Sequence, residues 1–190
     1  MDKEGFPMEK TGVVRLAKVL RLLVTITFLC NLVALILVPG LVGMYSPHGV
    51  LELYRYETGR IFWEFLTYWI WVWQAENTAA LTLFLLFCGS CTAVLLWQGR
   101  RLLGSIIEES PFSRANARNM RRAAVCCFLI ALAALLRMVW GFFYYGAIFP
   151  LFTYNALFIP IFTMAGLLCM VMSALFRQAA ELKEENDLTI

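Results

Sequence analysis

The sequence is poor in charged residues and nearly lacks histidine. Only 15% of its 190 residues are Asp, Glu, Lys or Arg, and His48 is the single histidine. Soluble domains carry about 25% charged residues, so this composition excludes an ordinary soluble protein. Because His48 has no second histidine or cysteine at ligand spacing, we predict no metal site, and we expect no cofactor.

The sequence also lacks the short motifs of common enzyme classes. It has no phosphate-binding loop, no dinucleotide fingerprint, no paired-histidine zinc motif and no Ser-His-Asp set with a histidine to spare. We therefore expect that the protein is not an enzyme. No repeat, low-complexity segment or cleavable signal is evident, so we expect one domain that keeps its first apolar segment.

Long apolar segments dominate what the sequence does contain. Apolar side chains make up 61% of the chain, and one membrane span needs about 20 of them in succession. Four segments qualify, at about residues 19–42, 78–97, 123–144 and 151–176. The sequence predicts an all-α membrane protein with four transmembrane helices in one bundle, a single domain over residues 1–190.

Basic residues are distributed unevenly around the four segments. They gather in the N-terminal stretch through Arg21 (Lys3, Lys10, Arg15, Lys18 and Arg21) and between the second and third segments (Arg100, Arg101, Arg114, Arg118, Arg121 and Arg122). The other two connections have either an excess of acidic residues or no charge. Because Lys and Arg in short loops stay on the cytoplasmic side, the pattern predicts that both termini are cytoplasmic.

Residues 98–122, between the second and third segments, are predicted to form a helical hairpin, called the hairpin below. The second helix can continue to Glu109, and Ser110 followed by Pro111 resembles a new helix start. One apolar face is expected from each arm: Leu102, Leu103, Ile106 and Ile107 on the first, and Phe112, Ala115 and Met120 on the second. The hairpin could simply pack on itself, or it could dock a partner.

The hairpin and the tail, residues 177–190, carry opposite charge. Six arginines and two glutamates give residues 100–122 a net charge of plus four, whereas the tail has a net charge of minus two. The two segments could form an adjustable, salt-sensitive contact, or they could remain apart in solvent. The candidate interaction residues are Arg114, Arg118, Arg121 and Arg122 of the hairpin and Glu184, Glu185 and Asp187 of the tail.

Arg137 is the most informative residue within the segments. It lies roughly 20 Å from the cytoplasmic end of the third helix, where an unpaired charge is costly. Its side chain could extend to the outer interface, pair with Glu76 or Glu64, or belong to a ligand or ion pathway. All three readings remain open.

Thr27 and Asn31 lie on one face of the first helix, near the middle of the membrane. Polar side chains at that depth usually bond to neighbouring helices, and the alternative is a path for a solute. In the fourth segment, Pro160 is expected to kink its helix and expose a carbonyl near Ala156.

An aromatic stretch at residues 54–73 lies on the predicted outer side. Tyr and Trp favour the membrane interface because each ring has both an apolar and a hydrogen-bonding part. The stretch predicts an interfacial helix between the first two spans, with a pocket lid or an external partner site as the alternative.

All six cysteines fall within the apolar segments (Cys30, Cys88, Cys91, Cys126, Cys127 and Cys169). We expect no disulfide framework there. Cys88 and Cys91 form a CxxC pair that invites comparison with quinone-linked thiol oxidoreductases. The same small residues also permit close helix packing, which is the simpler interpretation.

Two parts of the sequence resemble one family. The tail ends in EENDLTI, and residues 95–124 read LLWQGRRLLGSIIEESPFSRANARNMRRAA. Both resemble the bacterial membrane proteins grouped as domain of unknown function 2975. The resemblance implies a four-span protein of the bacterial cell membrane, often encoded beside a small helix-turn-helix regulator, and it implies no reaction.

Three functions remain open after this reading. The first is a non-enzymatic sensor or regulator whose hairpin and tail bind a soluble cytoplasmic partner, such as a helix-turn-helix regulator. The second is a small transporter or channel component built around Arg137, Asn31 and Pro160, and the third is the thiol oxidoreductase. We expect the lipid bilayer as a partner and no direct contact with nucleic acid, and a homo-oligomer remains open.

Overall fold

Five α-helices make up most of the described chain, which covers residues 7–44, 58–74, 76–108, 112–146 and 148–187 of a computed structural model. They are α1 (Pro7–Met44), α2 (Thr58–Trp71), α3 (Glu76–Ile107), α4 (Arg114–Tyr145) and α5 (Tyr154–Asp187). A 3₁₀ turn, Phe149–Phe152, precedes α5. His48 and residues 188–190 lie outside the described residues.

The helices α1, α3, α4 and α5 are long and apolar enough to cross a membrane. Their apolar windows have mean hydropathies between 2.1 and 2.5, and in α1 and α5 only 6% of the window is buried. Apolar surfaces of this extent are stable in lipid, where the helix bonds its own backbone groups. The predicted all-helical membrane protein is confirmed at this level, whereas its sidedness stays a prediction.

The helices α3 and α4 are longer than a membrane requires. Each has 32 residues, about 48 Å, whereas the hydrocarbon layer is about 30 Å thick. The helix α3 runs on to Ile107 and α4 begins at Arg114. The ends of these two helices cover the arms of the hairpin predicted at residues 98–122, whereas residues 109–111 between them lie outside the described part.

Neighbouring long helices run antiparallel and pack in chain order. On α1, Leu35 lies against Gly89 of α3, whereas Arg21 lies near Gly104. The helix α4 packs against both α3 and α5 and is the most buried of the four. Its buried small residues permit this close approach: Ala123, Ala124, Ala131, Ala134 and Gly141. We call the bundle end with Arg21 and the α3–α4 turn the arginine end, and the opposite end the aromatic end.

The helix α2 packs on the part of α1 near the aromatic end. A Cβ atom on Gly40 would overlap the ring of Phe65, and one on Gly43 would lie 2.7 Å from the backbone oxygen of Tyr68. The indole N–H of Trp69 donates a hydrogen bond to the Ile36 carbonyl at 3.2 Å. The predicted aromatic helix exists over Thr58–Trp71, and its position at a membrane interface stays a prediction.

The start of α4 corrects the sequence prediction. The helix begins at Arg114, and the Ser113 side chain caps it by accepting a bond from the Asn116 N–H at 3.2 Å. Ser110 and Pro111, where the sequence predicts this start, lie outside the described residues, and Ser113 is extended, so α4 itself starts later than predicted. Two serines three residues apart offer similar capping signals, and local sequence does not distinguish them.

Candidate functional site

An ion pair joins the tail to the hairpin at the arginine end. Arg114, in the first turn of α4, places its Nη2 atom 2.6 Å from Oε2 of Glu184, near the end of α5. Both side chains are more than half exposed, at 62% and 54%. An exposed pair of this kind contributes about 0 to 1 kcal/mol, so the contact can open at little cost.

Two further contacts hold α4 and α5 together below this ion pair. The Ser173 hydroxyl donates a 2.7 Å hydrogen bond to the Ala117 carbonyl. The rings of Phe112 and Phe176 pack with their centroids 6.1 Å apart. These contacts fix the helices, so that the ion pair can break without separating them.

A groove between α4 and α5 lies beside the ion pair, and we call it the arginine groove. It has a volume of about 590 Å³, and four arginines line it: Arg114, Arg118, Arg121 and Arg177. Arg177 bonds to Glu181 at 2.9 Å, one turn along α5. Neither Arg118 nor Arg121 forms an ion pair with any residue that the structure describes.

Arg118 and Arg121 also line a second groove, between α3 and α4. Its volume is about 390 Å³, and Arg122, Val94 and Val125 contribute to its walls. Three of the four predicted hairpin arginines thus gather on one face of α4, while Arg114 joins the tail. Glu185 is exposed, and the side chain of Asp187 lies outside the described part.

Polar residues that the sequence pattern did not single out form the inside of the hairpin. The Asn116 amide donates a 2.6 Å hydrogen bond to the Ser105 hydroxyl, and Gln98 and Asn119 are also buried. The available signal was a pair of residues able to form a hydrogen bond, Ser105 and Asn116, on the two arms of the predicted hairpin.

The predicted apolar faces of the hairpin are partly correct. Leu103 and Met120 are buried, whereas Phe112 is 53% exposed and Ala115 is also exposed. Phe112 packs toward Phe176 of α5 rather than toward α3. The hairpin therefore packs through fewer apolar contacts than expected and more polar ones.

Arg137 belongs to a hydrogen-bonded chain at the aromatic end. Its Nη2 atom donates a 2.8 Å bond to the Asn77 side-chain oxygen, and the Asn77 amide donates a 2.9 Å bond to the Tyr145 hydroxyl. Glu76 is exposed, and the Glu64 side chain lies outside the described part. The Nε atom of Arg137 is buried without a partner among the described residues.

Asn31 lines a cavity of about 280 Å³ to which α1, α3, α4 and α5 all contribute, called the central cavity below. Its side-chain oxygen is buried and has no partner among the described residues. The Thr27 hydroxyl donates instead to the Leu23 carbonyl of its own helix, at 2.9 Å. Arg137 and Pro160 do not line this cavity, so the three residues of the transporter reading are not gathered in one place.

The six cysteines all carry free thiols. Cys88 lines the central cavity and Cys126 lines the second groove. The remaining positions range from buried Cys91 and Cys127 to exposed Cys30.

Comparison with known proteins leads to one family. A family model described as "Protein of unknown function (DUF2975)" matches residues 22–190, which is most of the chain. Neither a curated protein nor a solved structure matches the chain. The match includes both the hairpin and the tail, where the motifs of the resemblance lie. The chain therefore belongs to the DUF2975 family of proteins of unknown function.

Proposed function

We propose that the protein is a non-enzymatic regulator of the bacterial cell membrane, whose hairpin and tail hold or release a soluble cytoplasmic partner. The arginine end faces the cytoplasm in this proposal, because short basic segments stay on that side. The bundle responds to a signal in the membrane or at its outer face. The change is transmitted to the position of the tail.

The ion pair between Arg114 and Glu184 is the observation that carries this proposal. The ion pair contributes at most about 1 kcal/mol. It therefore changes the ratio of paired to released tail by no more than roughly fivefold. A ligand with a modest preference for one state therefore shifts the position of the tail. A permanent contact between the tail and the hairpin would need stronger, buried hydrogen bonds or ion pairs.

The chemistry of the tail indicates the kind of partner. Its net charge of minus two complements a basic protein surface, and DNA-binding regulators carry such surfaces. The family resemblance also suggests a helix-turn-helix regulator as the partner. The membrane protein itself would not contact nucleic acid.

Co-purification from native membranes tests this function. The full chain should recover a soluble protein, and Arg114→Gln, which frees the tail without changing its charge, should recover severalfold more. Removing the tail after Arg177 should abolish the recovery. Arg101→Gln is the matched control, since Arg101 is an exposed hairpin arginine outside the described ion pairs. The proposal would be refuted if Arg114→Gln and the tail deletion both recovered the same amount of soluble partner as the full chain.

The central cavity favours a second candidate, a small transporter or channel component. The buried oxygen of Asn31 provides one polar group in an otherwise mostly apolar space shared by four helices. Proton and potassium flux through proteoliposomes tests it. Flux should exceed that of empty liposomes and be lost in Asn31→Leu but not in Thr27→Val. Absence of flux in the unaltered protein would count against this candidate.

A further inference from the structure

The arginine groove holds more positive charge than the chain neutralises. Of its four arginines, Arg114 and Arg177 pair with Glu184 and Glu181. Arg118 and Arg121 have no ion-pair partner among the described residues. The first turn of α4 adds to this field, because it contains no acidic residue at the positive end of the helix dipole. The groove therefore favours an anion.

The walls of the groove are apolar where they approach the membrane. Met170 and Ala174 belong to the apolar run of α5, and they line the groove below its arginines. Arg118 lies about 7.5 Å along α4 from residue 123, where the apolar run of that helix begins. The headgroup layer is roughly 5 to 7.5 Å thick on each side, so Arg118 lies at its outer edge and Arg121 lies within it. The arginines are thus level with lipid phosphates, and the walls are level with acyl chains.

We propose that the arginine groove binds an anionic phospholipid. The phosphate contacts Arg118 and Arg121, and one acyl chain follows Met170 and Ala174. The second groove shares the same two arginines and has apolar walls at Val94 and Val125, so it receives the other chain. A soluble phosphate compound would satisfy the arginines but would leave both apolar walls uncovered.

The tail carboxylates and a bound phosphate contact different arginines but share the positive field of one groove. Glu181 and Glu184 already occupy Arg177 and Arg114 at the rim of the groove. A lipid phosphate at Arg118 and Arg121 draws on the same positive field and weakens both ion pairs. Coupling between two binding events is reciprocal, so removing these carboxylates must tighten lipid binding. The effect of lipid on the tail rests on the proposed function, whereas the lipid site does not.

Native mass spectrometry of the purified full chain tests the lipid site. Phosphatidylglycerol should bind more tightly than phosphatidylcholine with identical acyl chains, and sn-glycerol 3-phosphate should not compete. Each of Arg118→Gln and Arg121→Gln should weaken phosphatidylglycerol binding about fivefold, equivalent to about 1 kcal/mol per basic residue. The control Arg15→Gln removes an exposed arginine of α1 and should leave the affinity unchanged.

Three results would overturn the lipid site. Equal affinity for phosphatidylglycerol and phosphatidylcholine would show that lipid charge does not matter. An equal loss of phosphatidylglycerol affinity in Arg15→Gln would show nonspecific electrostatic attraction. Competition by glycerol 3-phosphate would indicate a soluble phosphate ligand instead. Circular dichroism confirms that each variant is folded before its affinity is compared.

The double variant Glu181→Gln with Glu184→Gln tests the competition with the tail. It should bind phosphatidylglycerol severalfold more tightly, whereas Glu108→Gln, an exposed glutamate at the end of the hairpin's first arm, should not. Unchanged binding in the double variant would disprove the competition. The lipid-binding measurement contains no partner protein. A negative result here therefore contradicts the competition between lipid and tail and leaves the co-purification test of the proposed function unaffected.

Discussion

Arg137 shows how a single charged residue can be accommodated inside an apolar helix end. Its guanidinium donates to Asn77, and Tyr145 holds the amide of that asparagine in place. A neutral acceptor lowers the cost of burying the charge without introducing a second charge. The chain also joins the start of α3 to the end of α4, and so connects two helices at the aromatic end.

We expect Asn77→Leu to destabilise the protein more than Tyr145→Phe. The first change removes the acceptor of a charged donor, worth about 1.5 to 3 kcal/mol, and the second removes a neutral membrane hydrogen bond of about 0.6 kcal/mol. Thermal unfolding in detergent measures both. Tyr144→Phe is the control, and equal stability of Asn77→Leu and the unaltered protein would contradict the structural role.

The depth of Arg137 stays a prediction from the sequence, whereas its partner Asn77 could not be predicted. Counting residues along a helix gives depth, whereas the rotation of α3 decides whether Glu76 or Asn77 faces α4. Adjacent residues on a helix point about 100° apart, so a shift of one residue changes the partner. Asn31 was similarly recognised as a polar residue within an apolar helix, but the four-helix cavity around it depends on packing.

At the scale of elements, the contact between α1 and α2 depends on two glycines. Gly40 and Gly43 let the aromatic rings and backbone of α2 approach α1 directly. Glycine within a helix otherwise costs about 0.5 to 1 kcal/mol relative to alanine. Its presence at these positions is therefore explained by packing.

Alanine at Gly43 and alanine at Gly12 should have opposite effects. Gly43→Ala places a methyl group 2.7 Å from a backbone oxygen, and overpacking of this kind costs about 1 to 3 kcal/mol. Gly12 has open space around it, so Gly12→Ala should stabilise its part of α1. Hydrogen exchange of the α1 and α2 amides measures both changes. Loss of α2 protection in Gly12→Ala, or none in Gly43→Ala, would refute this account.

The hairpin–tail contact should be weak and sensitive to salt. Arg114→Glu should speed hydrogen exchange of the backbone amides at residues 177–187 by no more than about fivefold. The double variant Arg114→Glu with Glu184→Arg, which reverses the ion pair, should restore protection. At 1 M salt the Debye length falls to about 3 Å, so the variants should become indistinguishable. A loss of the global fold in Arg114→Glu would show that the pair is structural.

Helix existence was predictable, and helix ends were less so. Apolar runs identified all four long helices, because lipid requires such runs whatever the tertiary packing. The start of α4 was misplaced because Ser110 and Ser113 give the same local signal. The exposure of Phe112 was missed because its ring packs beside Phe176 of α5 and not inside the hairpin.

At the scale of the whole molecule, both termini should prove cytoplasmic. The test introduces one cysteine, at position 73 or at position 183, into a variant without the native cysteines. Trp73 and Lys183 are both exposed, and they lie on opposite sides of the membrane in the predicted topology. A membrane-impermeant maleimide should label position 73 in intact spheroplasts and position 183 only after permeabilisation. The reverse labelling pattern would invert the orientation and remove the basis of the proposed function.

The arginine groove illustrates how far sequence patterns lead toward a site. The arginines and the acidic tail residues were recognisable from the sequence as two groups of opposite charge. Which arginine pairs with which carboxylate depends on the contact between α4 and α5. The apolar walls at Met170 and Val94 were read only as parts of membrane spans.

The packing of successive helices in chain order has a consequence for synthesis. Each long helix that leaves the ribosome finds its partner already in the membrane: α3 meets α1, α4 meets α3, and α5 meets α4. Contacts of this kind have low contact order and need little search. The helix α5 is made after the other four described helices and carries Glu184. The ion pair with Arg114 can therefore form only after the four preceding helices have been made, so its formation marks a completed bundle.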